Sequence, residues 1–382
     1  MKNVAIIGAG ISGLFIANLF KRSSNYQVTV YEKNTTVALG GEGYGIQLSV
    51  NSIRLLNKIG FQKLEDSKKF SPKKINFYSN GNANKICELD ITGFNTENCK
   101  YTTLKRLSLI KFLKKDLESQ IKTDFNISKI NHQDKKIKLF FENKEVKECD
   151  YLIISDGVFS KSKSLISKIK AKPKYNNTLA IRGILTKYPV NIDYKNIALF
   201  LAPNFHHVIY PVNPSGELNF IGIMKHKLSI EEQKNYSLFS DNLFIKKVLE
   251  KIPLRNKDFL NNLKELKIFP VFVSENFYKL PNKNIHMIGD AFFAFPPSFA
   301  QGASQSIESA YELFENIENN TERKFFRNRV SKTKMINFRS KINQFAFHLS
   351  NPLTIFVRNI FLKGLVKNKK FLDFYLGKIY KN

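Results

Sequence analysis

Three short, largely apolar runs punctuate the chain: Val4–Ile7, Tyr151–Ile154 and Ile285–Ile288, the last interrupted only by His286. Runs of that length and character read as strands covered on both faces, as in a parallel sheet. A helical spacing through Leu14, Ala17, Leu19 and Phe20 follows the first, and then a second strand, Val28–Tyr31, ends at Glu32. Leu104 to Ile121 again has helical spacing, with strand-like runs after it at Asp124–Ile130 and Ile137–Phe141. From about 176 to 277 the character changes to β-rich runs, among them Ile197–Leu201, Val208–Pro211 and Leu218–Met224. The Pro- and Asn-rich Leu280–Asn284 precedes the third apolar run, and a helix is expected from Gly302 to about Asn316. No repeats or low-complexity tracts appear.

The 382 residues carry 61 Lys+Arg against 32 Asp+Glu, a formal net charge of +29, with 43% hydrophobic residues. That apolar share is too high for a disordered chain, and the length allows two domains. Of the basic residues 51 are Lys and 10 Arg. Nucleic-acid readers lean on Arg for its bidentate and stacking geometry, so the charge reads as a Lys-coated surface and no nucleic-acid partner is expected. Cys87, Cys99 and Cys149 form no CxxC pair, which argues against a disulfide scaffold or a Cys-based zinc site and points to a reducing, cytoplasmic compartment. No metal-ligand set is visible. No targeting segment is expected before the first strand, and no stretch reaches the roughly 18–20 apolar residues of a membrane helix.

The first strand runs into Gly8-Ala9-Gly10-Ile11-Ser12-Gly13. Gly8 permits the tight turn, Gly10 lets backbone approach a pyrophosphate, and Gly13 lets the helix pack close to the sheet, while the helix N-terminus offers N–H donors to phosphate. Glu32, 19 residues after Gly13, is placed to accept hydrogen bonds from a ribose, with Lys33 beside it. In this strand–turn–helix–strand context the motif marks a dinucleotide site, although NAD and FAD both use it. Two later turns follow buried strands: Ser155-Asp156-Gly157-Val158-Phe159-Ser160, and Gly289-Asp290-Ala291.

With those turns the chain resembles the single-component FAD-dependent aromatic hydroxylases, notably their salicylate-hydroxylase branch. Gly43-Tyr44-Gly45-Ile46-Gln47 through Asn51 resembles that family's segment after the second strand, and Arg106 with Leu109 its R-x-x-L helix start. Asp156-Gly157 with Ser160 resembles its DG motif, Ile181-Arg182-Gly183 its W-R-G, and Tyr210-Pro211-Val212 its Y-P-V strand. Gly289-Asp290-Ala291, Pro297 and Gln301-Gly302-Ala303-Ser304 are similar to its GD motif through to the last helix. Departures are Ile181 for Trp, Lys163 near a usual Arg, and Phe292-Phe293 where His is frequent. The resemblance implies an α/β fold: a Rossmann-type, glutathione-reductase-like FAD-binding domain (1–70, 102–175 and 278–335), a β-rich substrate domain (71–101 and 176–277) and a basic helical C-terminal tail (336–382). It implies FAD as cofactor and NADH or NADPH as transient donor. By the same resemblance Asp290 contacts the ribityl chain, Arg106 and Gln47 lie near ribityl and pyrophosphate, and Glu32 holds the adenosine ribose. The implied activity is monooxygenation of an aromatic or electron-rich, apolar substrate through a flavin hydroperoxide. An oxidase, reductase or halogenase of the same fold is one rival reading, the last weakened by the absence of Trp, and a basic flavoprotein that binds a membrane or nucleic-acid surface is the other.

A helix starting at Gly302 aims its N–H groups and dipole at whatever stands in front, which favours the reduced, anionic flavin ring; Pro297 lines the loop beside it. Phe293, Phe295 and Phe299 form an apolar wall or simply core. In His206-His207-Val208-Ile209-Tyr210, alternation puts His206 and Tyr210 on one face, a pair suited to bind and deprotonate a phenol near working pH. Arg182 either holds a substrate carboxylate or cross-links sheet and loop. His132, His226, His286 and His348 show no pairing. Residues 324–382 hold 14 Lys+Arg and one acid, Asp373. There Asn337–Leu349 is expected to pack on the FAD domain, while Ile355–Lys363 also reads as an interfacial helix, so peripheral membrane contact is the alternative. Monomer and homodimer are both open.

Overall fold

The computed structural model describes residues 1–37, 44–79, 84–132, 136–166, 172–185, 192–253, 260 and 262–381. Gly43 of the second-strand segment lies outside them.

A parallel sheet organises the first unit. β1 (Lys2–Ile7) pairs with β2 (Tyr26–Tyr31) on one side and with β12 (Tyr151–Ile154) on the other; β12 pairs with β18 (Ile285–Met287), and β8 (Ile121–Lys122) extends the far edge. Val4 to Ile7 and Tyr151 to Ile154 are buried throughout, which is why they carry no polar alternation. α1 (Ile11–Lys21) covers this sheet with every residue from Ser12 to Phe20 buried. Its neighbour on that side is α8 (Gly302–Glu318), which buries Ile307, Ala310, Leu313 and Ile317.

Two three-stranded sheets flank it. One has β3 (Gly45–Leu48) and β4 (Lys69–Phe70) on either side of β7 (Thr102–Lys105), and the other is β9 (Ile127–Asn131), β10 (Ile137–Phe141) and β11 (Val146–Cys149). The helical pattern over Leu104–Ile121 shrinks to α3 (Arg106–Lys114), because Thr102–Lys105 are taken into the ladder with β3. Between these pieces run α2 (Val50–Asn57) and α4 (Lys161–Ile166).

The second unit is a seven-stranded sheet, ordered β17 (Lys264–Val273), β13 (Lys174–Leu185), β16 (Leu218–Lys225), β15 (Phe205–Pro211), β14 (Ile197–Ala202), β5 (Lys74–Ser79) and β6 (Lys85–Asp90). Segment 74–90 therefore joins the strands of 174–273. One face of the sheet packs Ala198, Phe200, Phe205, Ile209 and Phe220 into a core of its own beneath α5 (Ile230–Lys234) and α6 (Asn242–Glu250). The other face, with Ile197, Leu199, Tyr210 and Val212, belongs to the main core.

After the short α7 (Gly289–Phe292) and α8, the chain ends in α9 (Glu322–Phe347), α10 (Pro352–Leu365), α11 (Lys369–Leu372), a π-helical turn (Asp373–Gly377) and α12 (Lys378–Tyr380). The expected Asn337–Leu349 helix is thus the second half of one 26-residue helix. Its first half is clamped to α8: Arg329, nearly fully buried, reaches Glu308 at 3.1 Å and Glu312 at 3.6 Å and donates to the Gln305 carbonyl. At the chain's end Leu376, Ile379 and Tyr380 return into the main core, Tyr380 edge-on to Phe94. Among the described residues no helix is long and apolar enough to cross a membrane.

Removing Arg329 leaves the Glu308 and Glu312 carboxylates in a largely buried site with Lys332 as the one cation against them among the described residues, Asn51 and Gln305 still donating to Glu308. Arg329→Ala should cost about 3 kcal/mol or more in chemical denaturation; a loss below about 1 kcal/mol would show that α9 is not held by this clamp.

Candidate functional site

At the carboxyl ends of β1, β12 and β18 the chain makes three turns that touch one another. Gly8 leaves β1 at φ +101°, and a Cβ there would stand 2.7 Å from the carbonyl oxygen of Ser155. A Cβ on Gly13 would fall 2.1 Å from the Gly8 carbonyl oxygen, and one on Gly289 (φ +58°) 2.7 Å from Ser12 Oγ. Only glycine satisfies these approaches. The Cβ positions of Gly10 and Gly302, by contrast, have nothing within 4 Å. That open space in front of two helix starts is what a pyrophosphate and a ring system require.

Polar groups border it. Glu32 is fixed after β2: its Oε2 accepts from the Ala9 N–H at 2.9 Å and its Oε1 from the Asn34 side chain at 2.8 Å. Ile11 and Gly302 begin α1 and α8, whose first N–H groups have no intrahelical acceptor. Ala300 (φ +51°) shapes the turn into α8, with its N–H on the Pro297 carbonyl. Asp290 reaches solvent along the cleft, yet protein surrounds it, and this desolvation lifts its carboxyl to about 6. Asp156 Oδ2 accepts from the Ser162 N–H, while its Oδ1 and the Nε2 of Gln301 are buried with no hydrogen-bond partner among the described residues. Orphaned polar atoms beside an open glycine cradle fit a bound dinucleotide.

The second sheet supplies the other wall. Register puts Arg182, Ile221, Val208, Leu199 and Phe77 in one cross-strand row, with His206 in the row on one side and Tyr210 in the row on the other. All project from one face. Tyr210 and Asn219 lie against Gln47, whose Oε1 also accepts from the Tyr101 hydroxyl at 2.7 Å; Asn219 Oδ1 in turn accepts from the Gly45 N–H. Burial holds the Tyr210 hydroxyl well above its ordinary range, so Tyr210 is a donor and not a phenolate. Arg182 lies over the Tyr44 ring at 5.8 Å, and its guanidinium makes no hydrogen bond among the described residues. Arg106 stands close enough that burial, followed by the Arg182 charge, lowers its pKa. A half-buried Arg182 guanidinium with no carboxylate partner among the described residues favours an anion.

His206 differs from expectation. It is 2% exposed, lies edge-on to Phe347, and its Nδ1 is 2.8 Å from Nε2 of His348 at the end of α9. Burial, with His348 next, holds it well below the ordinary imidazole range, so it stays neutral and does not titrate near working pH. His348 is held down to about 4 by burial and engages the Ile223 backbone, so it is paired and not solitary. That hydrogen bond places the His348 proton on Nδ1, leaves its Nε2 to accept from His206 Nδ1–H, and puts the His206 lone pair on Nε2. The four-residue spacing also separates the Cα atoms of His206 and Tyr210 by roughly 13 Å, too far for one phenol ring to meet both. His207 projects oppositely and stacks on Phe200 at 4.4 Å.

The three-phenylalanine wall divides as well. Phe293 stacks on Phe277 in the core, whereas Phe295 and Phe299 are partly buried, Phe299 against Tyr375. Lys33 is exposed beside Glu32. Nothing in the local sequence pattern marks Tyr101 or the pairing of His348, because each acquires its partner from a strand distant in the chain.

The profile of the FAD binding domain family matches residues 1–321. A chloroplastic zeaxanthin epoxidase of an Oncidium hybrid cultivar is 23% identical over 329 residues, 82% of this chain and 48% of its own. Salicylate hydroxylase of Pseudomonas putida is 24% identical over 345 residues, 81% of this chain and 75% of its own. The chain thus spans about half the length of the zeaxanthin epoxidase, and 56% of a 3-amino-4-hydroxybenzoate 2-monooxygenase of Streptomyces platensis. In fold it superposes on Klebsiella pneumoniae HpxO complexed with FAD and uric acid, at a TM-score of 0.80 and 13% identity, over 99% of this chain and 96% of that one. A salicylate hydroxylase substrate complex gives 0.77 at 17% identity, over 100% and 97%.

Asp290, raised from 3.8 to about 6, contributes its full stability to the flavin-free protein below pH 3.8 and loses it as pH rises through 6. Flavin-free Asp290→Asn should therefore melt higher than the parent above pH 6 and together with it below pH 4. A gap of the same size at both ends would show that the carboxylate carries no burial penalty.

Proposed function

The chain belongs to the FAD binding domain family, and from that premise we propose that it is an FAD-dependent monooxygenase acting on an aromatic or otherwise electron-rich substrate that carries an anionic group. The observation that supports this most is the pairing of two walls: the glycine cradle with Asp290, and across from it a sheet face bearing Arg182 and Tyr210 but no carboxylate partner for the guanidinium. We assign residues 71–101 and 176–277 to the substrate unit and the flanking segments to the cofactor unit.

Backbone of Gly8, Gly10, Ile11, Ser12 and Gly13 holds the pyrophosphate, Glu32 and Lys33 the adenosine ribose, and Asp290 with Arg106 the ribityl chain. Asp156 and Gly289 shape the turns beneath, and Gly45 and Gln47 bridge cofactor and substrate units. Gln301, Gly302, Ala303 and Ser304 present the α8 N-terminus to the ring, and Pro297 borders its reactive edge. When bound, FAD takes two electrons from NADH or NADPH and activates dioxygen, so that one oxygen atom enters the substrate and the other leaves as water. The chain's own part is to bind and orient. Arg182 grips the anionic group, Tyr210 donates a hydrogen bond, and Phe295 and Phe299 exclude water, while His206, buried against His348, holds the strand behind them in place.

The purified protein should be yellow, and Gly10→Val should purify without flavin. Aromatic carboxylates should accelerate NAD(P)H oxidation and acquire one atom of labelled dioxygen. Hydrogen peroxide formed with no oxygenated product from any accelerating compound would turn the reading to an oxidase. His206→Ala should lower the melting temperature and slow flavin reduction and oxygen transfer about equally, since its ring holds the end of α9 through His348; slowing of oxygen transfer alone would return His206 to the chemistry.

A further inference from the structure

The C-terminal helices wear their apolar residues on the outside. On α10, Leu353, Phe356, Val357, Ile360 and Phe361 recur at the three- and four-residue spacing of a single helical face, and that face is exposed, Leu353 to 70%. The opposite side holds Arg358, 7% exposed, whose guanidinium donates to the Ala346 carbonyl and to Asn359 Oδ1. α9 repeats the pattern near its end: Phe338, Ile342 and Phe345 lie at i, i+4 and i+7, Phe345 exposed to 72%. An amphipathic helix that packs only on its own protein turns the apolar side inward. Here it is turned outward, and contiguous exposed apolar surface marks an interaction site.

Charge selects the occupant. Residues 324–382 carry 14 Lys+Arg and one acid, and Lys363, Lys367, Lys369 and Lys370 follow the α10 face in exposed positions. A second copy of the chain would bring two such regions together and set like charges against each other. Nucleic acid answers the charge and leaves the phenylalanines in water. An anionic bilayer answers both: apolar side chains enter the headgroup boundary, and Lys stems reach outward to lipid phosphates. We propose that the outward faces of α10 and of the end of α9 dock on an anionic lipid surface, lying in its plane and not crossing it. This holds whether or not the chain oxygenates a substrate.

The test is flotation of the full-length, flavin-loaded protein with vesicles of phosphatidylcholine alone or of equal phosphatidylcholine and phosphatidylglycerol. Binding to the mixed vesicles should exceed that to phosphatidylcholine by about tenfold or more and fall with added salt. Phe356→Glu with Phe361→Glu should abolish flotation with circular dichroism unchanged. Lys367→Gln and Lys369→Gln should each weaken it about fivefold. Equal flotation with both vesicle types, none with either, or a double glutamate variant that floats like its parent would overturn the proposal. So would light scattering that shows a dimer which the double glutamate variant dissociates, since the face would then belong to a second copy.

Discussion

Backbone packed against backbone at the ends of three parallel strands is the constraint on which this molecule rests. The turn after β1 lies within van der Waals distance of the residues following β12, and the turn after β18 lies against the first helix. None of these contacts leaves room for a side chain. The closeness brings the starts of α1 and α8 to opposite sides of one cleft, and it carries Asp290 into surroundings where its charge is costly. A hydroxyl donor in the cleft would give that carboxylate a partner that folding alone does not.

This part of the molecule was readable from residues alone, because its cause is local. A glycine at φ +101° announces itself by being glycine, and Val4–Ile7 and Tyr151–Ile154 announce burial on both faces by lacking polar positions. The alternation of His206 and His207 across the sheet was equally legible, since it follows from strand geometry. The protonation behaviour of His206 was not, because it depends on Phe347 and His348, which approach from more than 140 residues away. Leu104 failed as a helical residue for a related reason: a ladder with β3 outweighed its local preference. The mix of basic and bulky apolar residues over Ile355–Lys363 was plain as well, but composition leaves open how the apolar face is oriented. Which way that face turns is decided by Arg358 and the Ala346 carbonyl.

The cleft's two walls have different physical characters. The wall with the glycine cradle is made of main-chain donors and small residues, with Glu32 and Asp290 at its border. The substrate wall is made of long side chains held by one another, Tyr44 under Arg182 and Tyr101 against Gln47.

α9 joins these walls as a single rigid rod. Arg329 pins one end to the cofactor helix and His348, just past the other end, meets the substrate sheet, about 28 Å away along the axis. Such a rod acts as a gauge block: it sets the gap between the two halves by residue count alone. One residue added within it would swing His348 about 100° around the axis, so this span tolerates replacement of its outer side chains far better than any change of length.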